Sequence, residues 1–197
     1  GGGRNGGSAR GCGARCKTWI SAHGAITADS ARDFKKFLQS RDVRSRDLRA
    51  VTVVLDSDGG SVLGAIALGR VIRQAGLSTT VGRTVDLDDK DAAGSGGKGD
   101  RAKTDGVKRA VMSPRGDCES MCAFVLLGGV KRTVPLQARV MVHQIWLGDR
   151  RNDPTAATYS AEDLVLVQRD IGRLARYTAE MGASIDLLDL ALRIPPW

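Results

Sequence analysis

The stretch that most restricts the fold is Val51-Thr52-Val53-Val54-Leu55, a β-branched run that passes through Asp56-Ser57-Asp58-Gly59-Gly60 into a helical pattern beginning at Ser61. Val62, Ile66 and Ile72 recur at helical spacing on one apolar face, and Gly76 stops the helix. Leu77 to Gly82 then reads as another strand. A glycine pair at the strand-to-helix turn lets the backbone approach a neighbouring group closely. The rest of the chain continues the alternation. Thr18 to His23 is read as the first strand, and Thr27 or Ser30 caps a helix reaching Gln39. Short strands are expected near Arg132 to Val134 and Arg139 to His143, with a long helix from about Ser160 to Met181 ended by Gly182. Alternating strands and helices predict an α/β layered domain.

Residues 1–17 form a Gly-rich head, expected to be flexible, and residues 18–197 one domain interrupted by a polar insertion over 83–117. The insertion has nearly balanced charges and few large apolar residues, so a mobile flap or disordered excursion is expected. The head lacks the apolar stretch of a secretion signal. Hydrophobic residues make up 42% of the chain, and no run approaches the roughly 18 apolar residues of a membrane span. The net charge is +8, but half of it comes from Arg4, Arg10, Arg15 and Lys17 in the head. With aromatics at 4% there is no stacking platform for specific nucleic-acid binding.

The chemistry-bearing segment is Gly116-Asp117-Cys118-Glu119-Ser120-Met121-Cys122-Ala123, followed by Val140-Met141-Val142-His143-Gln144. It sets a serine at a loop-to-helix junction and one of the two histidines at the end of an apolar strand. A serine hydroxyl needs a general base within hydrogen-bond reach, and neutral imidazole is the usual one. The oxyanion formed on attack needs donors already in place. The Met121 amide, at the start of the apolar helix Met121 to Leu127, and an amide of the glycine turn are the candidates. Ser120 otherwise serves as a helix N-cap, and His143 as a hydrogen-bonded strand-end histidine. Glu119, beside the serine, is expected to face solvent, because a carboxylate turned inward would repel an oxyanion.

The four cysteines form two pairs of equal spacing, Cys12 with Cys16 and Cys118 with Cys122. Each spacing is compatible with a short bridge, four cysteines allow three pairings, and free thiols remain the alternative. Zinc is disfavoured by the spacing and by the positions of His23 and His143, so neither a metal nor another cofactor is expected.

In this order the motifs resemble the Clp protease proteolytic subunit and the wider ClpP/crotonase superfamily. The first is the apolar strand and turn Leu55-Asp56-Ser57-Asp58-Gly59-Gly60-Ser61-Val62, the second Glu119-Ser120-Met121, the third Met141-Val142-His143-Gln144. The resemblance extends over roughly residues 17 to 82 and 116 to 194. It implies a layered fold of repeated β-β-α and βα units with a long insertion before the nucleophile helix. It further implies a serine peptidase acting on a peptide or protein, with Ser120 as nucleophile, His143 as base, and the amides of Gly60 and Met121 as the oxyanion hole. Relatives typically assemble into rings, which implies a homo-oligomer. The family's orienting aspartate falls on a non-acidic residue here, leaving Asp186 and Asp189 as weak substitutes and the third triad member unknown. A bridge around Ser120 would lock the nucleophile turn and fits a periplasmic or otherwise exported protein. Three alternatives stand beside this reading: a non-catalytic binding or assembly module, a crotonase-type acyl-CoA enzyme, and a serine–lysine dyad using Lys131.

Overall fold

The computed structural model describes residues 2–7, 17–40, 48–87, 108–145 and 158–195. Four consecutive strands of its main sheet run parallel: β2 (Trp19–His23), β3 (Thr52–Asp56), β4 (Ser78–Val81) and, at the edge, β8 (Arg132–Thr133). Val53, Val54 and Leu55 of β3 are all buried, as expected of a strand covered on both faces. The α/β class read from the sequence is therefore observed.

β3 and β4 are joined by α2 (Val62–Gln74). It begins where the Ser61 hydroxyl accepts the Gly64 amide at 3.1 Å, and Gly76 at φ +69° turns the chain out of it. α1 (Ser30–Leu38) packs on α2 through Ala31 and Phe34. The sequence reading placed a cap at Thr27 or Ser30. Instead Asp29 occupies the cap position with its side chain paired to Arg32 and not capping the helix, and the Ser30 hydroxyl accepts the Thr27 amide. Ile72, Leu77, Val53 and Phe124 are 1% exposed or less, each removal from water being worth about 1.5–3 kcal/mol.

α3 (Met121–Leu126) lies against α2, as does the second half of α4 (Ala161–Glu180). Ser160 and Asp163 close a reciprocal capping box at the start of α4. Only Leu174, Tyr177 and Thr178 of this helix are buried, whereas Leu164, Val165 and Leu166 are 51%, 52% and 46% exposed. Tyr177 donates its hydroxyl to the Phe124 carbonyl at 2.9 Å, and burial holds its pKa above the ordinary tyrosine value. The Arg73 guanidinium donates to the carbonyls of Leu127, Gly128, Gly129 and Met181, satisfying acceptors that the ends of α3 and α4 leave open. The chain closes with α5 (Asp186–Arg193), a helix not foreseen as a separate element.

Two other elements depart from the sequence reading. The head, expected to be flexible, supplies β1 (Gly2–Gly7), antiparallel to β2. The insertion, expected to be an unstructured excursion, begins and ends in strands β5 (Arg83–Asp86) and β6 (Lys108–Ser113), which pair antiparallel with Arg83 opposite Ser113. Val85 opposite Val111 and the Trp19 indole donating to Thr84 Oγ1 at 3.0 Å supply the support that composition did not reveal. β6 also pairs in parallel with β1, so the sheet runs β5-β6-β1-β2-β3-β4-β8. Residues 88–107 lie outside the described residues, as do Cys12 and Cys16. No helix among the described residues is long and apolar enough to cross a membrane.

Candidate active site

Beyond β3 the chain keeps an extended course for one residue, and Ser57 forms a parallel bridge with Cys118 of β7 (Asp117–Glu119). The Ser57 amide donates to Asp117 O at 2.8 Å, and the Glu119 amide to Ser57 O at 2.9 Å. This pairing lays the glycine turn beside the residue that follows β7, Ser120. A Cβ built on Gly59 would stand 2.7 Å from Ser120 Cβ and 2.9 Å from the Met121 amide nitrogen, so only glycine fits there. Gly59 already has φ +89°, a region that disfavours side chains.

Ser120 is itself strained, with φ +54° and ψ −122°, and among the described residues it alone has a positive φ without being glycine. Its side chain does not cap α3, and Ser120 Oγ has no hydrogen-bond partner among the described residues. The turn is held by three constraints. Gly59 packs against it, the Ser120 amide donates to Met141 O at 2.7 Å, and a disulfide joins Cys118 to Cys122 with their Cα atoms 5.1 Å apart. Both cysteines are buried.

The two expected oxyanion donors lie at this turn. Gly59 O accepts the Ile26 amide at 2.8 Å, and in a trans peptide the following N–H points the opposite way. Ile26 flanks the turn on one side and β7 on the other, so the Gly60 N–H is directed to the side of Ser120. Neither the Gly60 nor the Met121 amide is hydrogen-bonded among the described residues. The resemblance gives a role to the Gly60 amide and none to Gly59. Their tasks are distinct, Gly59 giving contact with Ser120 and Gly60 giving the free amide.

β9 (Arg139–Met141) pairs in parallel with β7, placing Met141 opposite Glu119 and carrying the chain on to His143. Val142 turns inward against Ala123 and Ala191. His143 is half-buried, its Nδ1 2.7 Å from the Gln144 carbonyl. A carbonyl only accepts, so this contact assigns the proton to Nδ1 and leaves the Nε2 lone pair available in the neutral ring. Gln144 is pinned in turn, its side chain donating to Leu192 O at 2.7 Å and its amide to Ile194 O at 2.8 Å. Ser120 and His143 are brought to adjacent ends of a strand pair without a hydrogen bond between them.

Neither proposed orienting carboxylate is bonded to His143. Asp186 accepts from the Ser184 hydroxyl at 2.7 Å, and Asp189 pairs with Arg193. Lys131 lies beyond the far end of α3 from Ser120, its carbonyl taking the Thr79 amide, so the lysine-dyad reading lacks its geometry. Glu119, expected to face solvent, is half-buried.

The sequence reading overlooked a charged brace behind the site. Arg83 donates to Asp56 Oδ2 at 2.8 Å and Arg139 to Asp117 Oδ1 at 2.7 Å, while the Asp117 amide donates to Asp56 Oδ1 at 3.0 Å. The Arg139 hydrogen bond holds the Asp117 carboxyl below its usual pKa. The brace joins β7, which leads to the serine, to β9, which leads to the histidine. Its one sequence signal is an acidic residue at each strand end. Among the described residues no group of three or more His, Cys, Asp and Glu is placed to hold a metal ion. No protein-family model matches the chain, and no curated protein matches it.

Proposed function

We propose that the chain is a ClpP-like serine hydrolase that cleaves peptide bonds by acyl transfer. The observation that carries this reading is the strained Ser120, held against the Gly59–Gly60 turn on one side and hydrogen-bonded to the strand leading to His143 on the other. Strain of this kind costs about 1–3 kcal/mol and is concentrated where a side chain must be presented.

Ser120 Oγ attacks the substrate carbonyl carbon while His143 Nε2 accepts its proton. The oxyanion is taken by the amides of Gly60 and Met121. Collapse of the tetrahedral intermediate releases the amine with the proton returned by His143, and water repeats the sequence to free the acid. The Gln144 carbonyl stands where a triad has its carboxylate, fixing the ring tautomer but adding no full negative charge. A rate below that of a complete triad follows, since altering the carboxylate of one costs about 10⁴-fold in kcat. Apo sites often tighten their catalytic hydrogen bonds only when substrate is bound, so the open Ser120–His143 contact is compatible with this role. The Cys118–Cys122 bridge favours an exported setting, where disulfides persist.

A fluorophosphonate probe tests the reading: it labels the wild-type chain and spares Ser120→Ala. Equal labelling of both, or none of the natively folded wild type, contradicts it. The exposed Leu164, Val165 and Leu166 on α4 favour a second reading, an assembly module of the same fold. That reading predicts concentration-dependent association abolished by Leu164→Glu, with no probe labelling.

A further inference from the structure

A cavity of about 330 Å³ lies between α1 and the ends of β2 and β3, reaching Ser57 and Cys122 of α3; Ser120 does not line it. This is the small end of the range for ligand pockets, about 300–1,000 Å³. Its body is apolar, formed by Ile26, Phe34, Phe37, Leu55, Leu68 and Val125. Phe34 and Phe37 stack with their ring centroids 6.2 Å apart.

One wall is polar. Ser40 lines the cavity, and its Oγ is buried without a hydrogen-bond partner, the sole such side-chain atom among the described residues. A buried hydroxyl left unpaired costs about 1–3 kcal/mol, which a ligand accepting from it would recover. Lys36 of α1, exposed to solvent, lines the same cavity and makes no ion pair or hydrogen bond among the described residues. Asp33, the acidic group at the cavity, is engaged by Arg32 at 3.4 Å. His23 lines the cavity from the end of β2. Among the described residues that line the cavity, Lys36 is therefore the charged group left without a partner.

We infer that this cavity binds a small amphipathic carboxylate, a medium-chain aliphatic acid in chemical class. The hydrocarbon fills the space among Phe34, Phe37, Leu55 and Val125. The carboxylate accepts from Ser40 Oγ and pairs with Lys36 Nζ. This site does not depend on Ser120 chemistry, and the hydrolase reading can fail without affecting it.

Calorimetric titration with decanoate, below its micelle concentration, tests the inference. Saturable one-site binding is expected, tightening about 3- to 4-fold per methylene from hexanoate to decanoate, as burial of a CH₂ requires. Lys36→Glu is expected to weaken binding about 10-fold or more and Ser40→Ala about 3- to 10-fold. Decanol and decylamine are expected to bind more weakly than decanoate. Phe34→Trp, which fills the cavity, is expected to abolish binding while the circular dichroism spectrum is retained. If Phe34→Trp does not fold, the surface variant Lys36→Glu and the chain-length series decide the matter. Absence of saturable binding, decylamine binding as tightly as decanoate, or affinity unchanged in Lys36→Glu overturns the inference.

Discussion

The Ser120 amide donates to the Met141 carbonyl at 2.7 Å, so the strained serine and the strand that leads to His143 are fixed in register, two residues from base to anchor. A one-residue slip of β9 against β7 would turn Val142 out of its pocket between Ala123 and Ala191. The same apolar contact that stabilises this corner sets where His143 stands relative to Ser120.

Gly59→Ala should be far worse than an ordinary glycine substitution. The new methyl meets Ser120 Cβ, the Glu119 carbonyl oxygen and the Met121 amide at 2.7–2.9 Å, from a backbone at φ +89°. A loss of about 3 kcal/mol is expected in chemical denaturation, together with loss of fluorophosphonate labelling. Gly172→Ala, where a Cβ meets nothing within 4 Å in the middle of α4, is the control. It should be neutral or slightly stabilising.

The Cys118–Cys122 bridge closes a very short loop, and for such a loop the chain-entropy contribution is about 2 kcal/mol. Cys118→Ala with Cys122→Ala should therefore lower stability by about that amount in thermal denaturation. Its larger effect is local, since the bridge spans Ser120: amide hydrogen exchange of residues 117–123 should quicken by more than that of β3.

Asp117 makes this corner sensitive to acid. Its hydrogen bond from Arg139 lowers its pKa in the folded protein below the ordinary value of 3.8. The folded state therefore gains stability from this group above about pH 4 and loses it as pH falls through the depressed value. Melting temperatures measured from pH 7 down to pH 2 should show a shallower acid limb for Asp117→Asn than for the wild type. Identical limbs would remove Asp117 from the account.

Tyr177→Phe removes the hydroxyl that donates to the Phe124 carbonyl and leaves that acceptor buried without this donor. About 1–2 kcal/mol should be lost in urea denaturation.

What the sequence made legible follows the strength of local signals. The strand at Val51, the helix starts at Ser61 and Ser160, and the stops at Gly76 and Gly182 are near-neighbour effects, and the structure has each of them. Ser120, Gly60, Met121 and His143 are named from motif order; the folded chain packs the Gly59–Gly60 turn on Ser120 and bonds the Ser120 amide to Met141, two residues before His143. What was missed depends on distant partners. Four of the six residues of strand β1 are glycine, and its pairing comes from the edge of β2. The polar arms of the insertion are ordered by each other and by Trp19. The Gln144 carbonyl carries no sequence signature, because every residue has one. Nor could a residue count show that Ala191 packs behind Val142.

The most direct measurement of the central claim is the second-order rate constant of fluorophosphonate labelling at a site located by peptide mass spectrometry, in wild type and His143→Ala. The account predicts labelling on Ser120, slowed about 10²-fold or more when His143 is removed. Label on another residue, or an unchanged rate in His143→Ala, would contradict it.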